Sequence, residues 1–248
     1  MTATTILNDL LPLPNLLNVQ IPRLGFGVYR SPPSQCEKSC LAALLAGYRH
    51  IDTAQFYANE TEVGNALRSS GMRKEIFIAG EGQDAYVDLF LIHSAKSGKE
   101  GRKELWQALE KLFDEGKTRS IGVSNFGVGH IEEMKEYAKV WPPHVNQIGV
   151  PSSMVPTEEA YSPLVRNYKA TEPALVGIAK KYGRSTAQIL IRYASQRGWV
   201  PLPKSDNPDR IQANANVYDF FIDDEDMAAL NALDQGDEGA IVQAVSNE

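Results

Sequence analysis

The sequence predicts an α/β fold, an eight-stranded parallel (β/α)8 barrel, on three observations. Short, largely apolar segments such as Ile76-Phe77-Ile78-Ala79 and Val87 to His93 read as strands of a sheet covered on both faces. Amphipathic segments of helix length lie between most of them, the pattern of a parallel sheet covered by helices. The strand count reaches eight, the number that closes such a sheet on itself. With 248 residues, 43% of them hydrophobic, the chain can supply a sizeable core, and one domain spanning 1–248 is expected.

Residues 17–30 alternate apolar and polar around Pro22 and Gly25 and predict a small hairpin ahead of the first helix. A helix near 34–46 follows, then a strand at 48–52, a helix from 60 to 69 and the strand 76–79. Next come a strand at 87–93, a helix at 100–115, a strand at 119–123 and a helix at 128–139. The remaining strands are expected at 145–148, 160–162, 199–201 and 217–220. Asp223-Asp224-Glu225-Asp226 opens a last helix with Met227, Leu230 and Leu233 on its apolar face. Carboxylates favour a helix N-terminus, so capping rather than calcium binding is expected there.

Two connections fail a physical test, because parallel neighbours ordinarily need a crossover of about a dozen residues, usually a helix. Six residues separate Ala79 from Tyr86. Ten separate Ile148 from Glu159, and Pro151 and Pro156 among them oppose helix formation. The expected barrel therefore lacks two crossover helices and is incomplete or rearranged, with apolar strand surface left open. A homodimer, or a cover formed by Leu10, Leu11, Leu16 and Leu17, would answer that exposure.

A formal charge of −6 argues against nucleic acid or an anionic membrane as partner and leaves a small molecule as the expected one. No apolar run approaches the roughly 20 residues of a membrane span, and residues 1–18 lack a basic stretch ahead of their leucines, so a cytoplasmic location is expected. Cys36 and Cys40, four apart in the first helix, have poor geometry for a disulfide and read as reduced, packed thiols. Cys and His are too few, and wrongly spaced, for a zinc site, and no metal is expected. Gly25-Phe26-Gly27 lacks the third glycine and following helix of a dinucleotide fingerprint.

The run Tyr48-Arg49-His50-Ile51-Asp52-Thr53-Ala54-Gln55-Phe56-Tyr57 resembles that of the aldo-keto reductase family. The resemblance recurs at Val87-Asp88-Leu89-Phe90-Leu91-Ile92-His93, Ile121-Gly122-Val123-Ser124-Asn125-Phe126, Val145-Asn146-Gln147-Ile148, Glu159-Ala160-Tyr161-Ser162-Pro163-Leu164 and Pro201-Leu202-Pro203-Lys204-Ser205. It implies NADPH-dependent reduction of an aldehyde or ketone to an alcohol. Tyr57 matches the proton donor, Asp52 its supporting carboxylate, and His93 the histidine that orients the carbonyl. Ser124, Asn125 and Gln147 match the residues that bind the nicotinamide carboxamide, and Tyr161 the ring that stacks on it, within the segment that also holds Ser162 and Leu164. Gly27, Val28 and Tyr29 stand where relatives line the cleft. Lys204, Ser205, Arg210 and Asn214 match the segment that grips the adenosine 2′-phosphate and adenine, which implies NADPH rather than NADH.

One piece is missing from that match. The family sets a lysine against the tyrosine, two or three residues after the second strand, to lower the phenol's pKa. Here that stretch reads Gly80-Glu81-Gly82-Gln83-Asp84, and a glutamate would act in the opposite sense. Two further readings thus stay open: a repurposed or inactive barrel that binds NADPH or a ligand, and a non-redox isomerase or cyclase using Tyr57 and His93.

Overall fold

The computed structural model describes residues 9–80, 86–149, 157–164 and 170–233. A hairpin of β1 (Leu10–Pro12) and β2 (Gln20–Pro22) leads into β3 (Phe26–Gly27), α1 (Pro33–Leu45) and β4 (His50–Asp52). Then come α2 (Glu60–Ser70), β5 (Phe77–Gly80), β6 (Val87–Ile92), α3 (Gly98–Asp114) and β7 (Thr118–Ser124). The helix expected at 128–139 is shorter: α4 spans Val128–Glu133 and passes into a 3-10 turn, Met134–Glu136. After β8 (Asn146–Ile148) and β9 (Glu158–Tyr161), α5 (Pro173–Tyr182) and α6 (Thr186–Gln196) precede β10 (Val200–Leu202), α7 (Pro208–Ala215) and α8 (Asp224–Asn231).

Strands β3 to β10 form one eight-stranded sheet in sequence order, and each neighbouring pair is parallel. Gly25 N–H donates to Pro201 O and Gly27 N–H to Pro203 O, both at 3.1 Å, so the first strand reaches the last and the sheet curls into a barrel. Glycine is needed at this seam: a Cβ on Gly25 would lie 2.4 Å from Leu202 Cδ2 and 2.8 Å from His50 Nδ1.

The strand expected at 217–220 does not form, and the short β3 takes its place in the count. Val217 is fully buried and Tyr218 and Phe220 pack on the core, which explains their strand-like pattern. The edge of β10 is already occupied by Gly25 and Gly27.

Inward residues Phe77, Ala79, Leu89, Leu91, Val145, Val200 and Leu202 fill the barrel, and Leu13 and Ile21 of the hairpin segment complete that cluster. Outside it, α1 and α2 cover the strands: Cys36, Cys40, Ala43, Val63 and Ala66 pack with Ile51, Ile78 and Val87. Both cysteines are buried free thiols. Asp223 caps α8, its carboxylate accepting from Asp226 N–H at 2.9 Å. Among the described residues no helix is long and apolar enough to cross a membrane.

At both short connections the flanking strands pair directly: Ala79 and Gly80 of β5 with Leu89 and Phe90 of β6, and Asn146 to Ile148 of β8 with Glu158 to Ala160 of β9. A four-residue strand is about 13 Å long, a span that six extended residues can cover. Residues 81–85 and 150–156, on which the connections depend, lie outside those described. The expected bare surface at β5 and β6 is smaller than the sequence suggested, for only Phe90 among their residues is more than marginally exposed. A polar cluster lies beside it. Asp88 accepts from Ile78 N–H at 3.0 Å and pairs with Arg73 and Arg119, while Arg73 also donates to Tyr86 O. The four leucines near the N-terminus do not cover the outer strand faces. Leu11 and Leu16 pack against the interior cluster, while Leu10 and Leu17 are exposed, Leu17 at 93%.

Candidate active site

Strand β4 ends at Asp52, and a 3-10 turn, Gln55–Tyr57, carries the tyrosine back over the barrel mouth. Ala58 closes that turn at φ 54, a left-handed conformation that costs a residue with a Cβ some strain. Tyr57 is half-buried, its ring 5.0 Å from Tyr29 and 6.4 Å, edge-on, from His93. His93 follows the end of β6 and is exposed, with the largely exposed Phe56 ring 6.0 Å away. Asp52 lies beneath, buried, its backbone carbonyl accepting from Val28 N–H.

The ends of β7, β8 and β9 add a hydrogen-bonded group beside these. Asn125, in the left-handed region that asparagine tolerates, donates through Nδ2 to His93 O at 2.9 Å and to Ser124 Oγ at 3.1 Å. Its Oδ1 accepts from the Tyr161 hydroxyl at 2.9 Å. Ser124 Oγ donates to Gln147 O at 2.8 Å. Gln147 Nε2 donates to Asp52 Oδ1 and to Glu159 Oε2, both at 2.8 Å. Its amide hydrogens are thereby used, and its carbonyl oxygen is the group it can offer a carboxamide.

Glu159 and His50 are buried titratable groups that the sequence reading did not single out. Their Oε1 and Nε2 atoms lie 3.3 Å apart, and His50 Nδ1 donates to Pro22 O at 3.2 Å. Burial pushes Glu159 up to about 8, and the Asp52 charge adds to this against the hydrogen bond from Gln147. Burial pushes His50 down to about 4, opposed only by its bond to Pro22. The two groups are therefore predominantly uncharged near pH 7. The only signal for them in the sequence is a charged residue inside an otherwise buried strand, and that signal names no partner.

Of the other sequence-predicted residues, Gly27, Lys204 and Ser205 lie at the barrel seam, and the rest lie around it. Gly27 is fixed by its bond to Pro203, and a Cβ there would come within 3.3 Å of Leu202 O. Lys204, partly exposed, reaches Arg30 O at 3.4 Å and contacts the Asp206 carboxylate. Ser205 is buried and accepts from Asn207 N–H; on α7, Arg210 is exposed and Asn214 buried. Ser162 takes φ 51 just after β9, and Leu164 packs on the α1–α2 cluster. Val28, Tyr29, Asp52, Tyr57, His93, Ser124, Asn125, Gln147 and Tyr161 thus form one continuous set of contacts, with Lys204, Ser205, Arg210 and Asn214 to one side. Glu81, which stands where a lysine is expected, lies outside the described residues.

The sequence pattern of the aldo/keto reductase family matches residues 23–83, 81–162 and 151–235, in three pieces whose joins fall at the two short connections. A glyoxal reductase of Bacillus subtilis is 36% identical over 266 residues, covering 93% of this chain and 95% of that protein. Since 266 positions exceed this chain's 248 residues, the relative carries residues with no counterpart here. The crystal structure of an aldo/keto reductase from Brucella melitensis superposes with a TM-score of 0.83 at 33% identity, covering 91% of this chain and 99% of that one. A Bombyx mori aldo-keto reductase, solved in complex with NADP, gives 0.78 at 29% identity, covering 90% and 92%. Barrel, mouth residues and relatives agree: the chain belongs to the aldo/keto reductase family and is an oxidoreductase of aldehydes or ketones.

Proposed function

We propose that this chain reduces a small carbonyl compound to its alcohol with NADPH, using Tyr57 as the proton donor. The observation that carries this reading is the contact set at the barrel mouth, where Tyr57 lies edge-on to His93 and Asn125 ties His93 to Tyr161. The donor set fits the cofactor. The Gln147 carbonyl and the side chains of Ser124 and Asn125 suit a carboxamide, the half-buried Tyr161 ring suits a nicotinamide face, and Lys204 and Arg210 suit a phosphate. When bound, such a cofactor supplies hydride to the carbonyl carbon.

The protein's own part is to place the carbonyl and move the proton. Tyr57 O–H donates to the oxygen as negative charge grows on it, and His93, at the same mouth, hydrogen-bonds the carbonyl and orients it. Tyr29 and Phe56 set aromatic rings beside Tyr57 and His93, which offer a substrate apolar surface to lie against. Asp52 holds Gln147 in place from below. No lysine occurs between Lys74 and Lys96, the stretch in which the family resemblance places one, and a modest rate is expected.

The test is a fluorescence titration with NADPH, followed by turnover of a carbonyl panel by wild type and Tyr57→Phe. The substitution removes the proton donor and keeps the ring, so turnover should fall by about 10²- to 10⁴-fold while NADPH affinity changes little. Full activity in Tyr57→Phe would remove Tyr57 as the acid. Tight NADPH binding with no turnover in wild type would favour a repurposed binding barrel.

A further inference from the structure

The cofactor reading puts two cations, Lys204 and Arg210, near the end of β10, and the structure sets an anion against the first of them. Asp206 lies in the turn between β10 and α7, and its Oδ2 contacts the Lys204 ammonium. Its Oδ1 accepts from Ser31 Oγ in the loop after β3 and from Ser39 Oγ on α1, the latter at 3.0 Å. Its backbone carbonyl accepts from Gln35 Nε2 at 3.5 Å. This carboxylate is therefore fixed from several sides and cannot swing away as an isolated surface charge would. Burial pushes its pKa up, but the Lys204 ammonium and the Ser31 and Ser39 hydroxyls outweigh burial and hold it below the ordinary carboxylate range.

A phosphate approaching Lys204 meets two obstacles. It must compete for an ammonium that already has a counter-ion, and it must settle beside a fixed charge of its own sign. A ribose hydroxyl in the same place meets neither, because a hydroxyl can donate to a carboxylate. We propose that Asp206 is a specificity-determining residue of the cofactor site, weakening the grip on the adenosine 2′-phosphate and so admitting NADH beside NADPH. The inference rests on the reading of Lys204 as a phosphate-binding residue. Asp206 also ties the β10–α7 turn to α1, and a tether alone would act on every nucleotide alike. A charge effect acts only on nucleotides that carry a 2′-phosphate.

The experiment titrates the full chain, as wild type and Asp206→Asn, with NADPH, NADH, adenosine 2′,5′-bisphosphate and adenosine 5′-monophosphate. Asparagine keeps an oxygen for Ser31 and Ser39 and removes the charge. Affinity for the two 2′-phosphorylated compounds should rise about five-fold, while affinity for the other two stays within about two-fold. Lys204→Met should then weaken NADPH binding more in the Asp206→Asn background than in wild type. Thermal melting checks folding, and Asp206→Ser serves if the asparagine variant is unfolded. An equal change for all four compounds, or an unchanged NADPH-to-NADH ratio, overturns the proposal and leaves the cofactor reading in place. Binding of none of the four by wild type overturns both.

Discussion

Glu159 and His50 set opposite pH limits on this barrel's stability. Folded Glu159 keeps its proton up to about 8, above the ordinary 4.5, so it contributes stability below 4.5 that is lost as pH rises toward 8. Folded His50 refuses a proton down to about 4, below the ordinary 6.5, so its contribution is present above 6.5 and lost as pH falls toward 4. Between 4.5 and 6.5 folded and unfolded chains hold the same number of protons on this pair, and the two slopes cancel. From pH 6.5 to 8 only the glutamate slope remains, which amounts to about 2 kcal/mol. A melting temperature followed from pH 5 to 8.5 should show a plateau and then a fall, and Glu159→Gln should flatten the fall. The same fall in both proteins would assign it to other groups. The sequence showed Asp52, Tyr57 and His93 because they stand in recognisable runs. It did not show what Glu159 or Asp206 does, because their partners lie elsewhere in the chain: Ser31 and Ser39 are 175 and 167 positions from Asp206.

Among the elements, the β5–β6 pair shows how a connection without room for a helix can be supported. Asp88 is buried, and it satisfies a backbone N–H of β5 while holding Arg73 from before that strand and Arg119 from β7. Asp88→Ala would leave the Ile78 N–H without that acceptor and release both arginines. Because the arginines are partly exposed, a loss of about 2 kcal/mol is expected rather than the full cost of a broken buried pair. Urea unfolding of the variant measures it, and a change below about 0.5 kcal/mol would show that the cluster does not brace the strands. Elements long enough to show a period, such as α3 and β6, were legible in the sequence. Phe26–Gly27 was not, since two residues carry no alternation and glycine weakens strand propensity. Residues 217–220 misled for the converse reason, being apolar because they are packed and not because they pair.

For the whole molecule a homodimer remains our proposal, on a narrower basis than the missing helices alone suggested. Leu17, Leu45 and Phe221 are exposed at 93%, 87% and 63%, and Tyr86 and Phe90 offer apolar surface at the shortened connection. Burial of such surface is worth about 25 cal/mol per Å², enough for association once several hundred Å² are covered. Light scattering should give twice 27.3 kDa at micromolar concentration. A mass of 27.3 kDa across a dilution series would exclude the dimer. The seam that closes the barrel also bears on the order in which the chain acquires its form. The hydrogen bonds there run from Gly25 and Gly27 to Pro201 and Pro203, and proline has no N–H to return. Both of these bonds therefore take their donor from the β3 side, and they unite segments far apart in the chain. A nascent chain must carry one edge of β3 without its partner until β10 has left the ribosome, so the joint that closes the barrel is among the last to form.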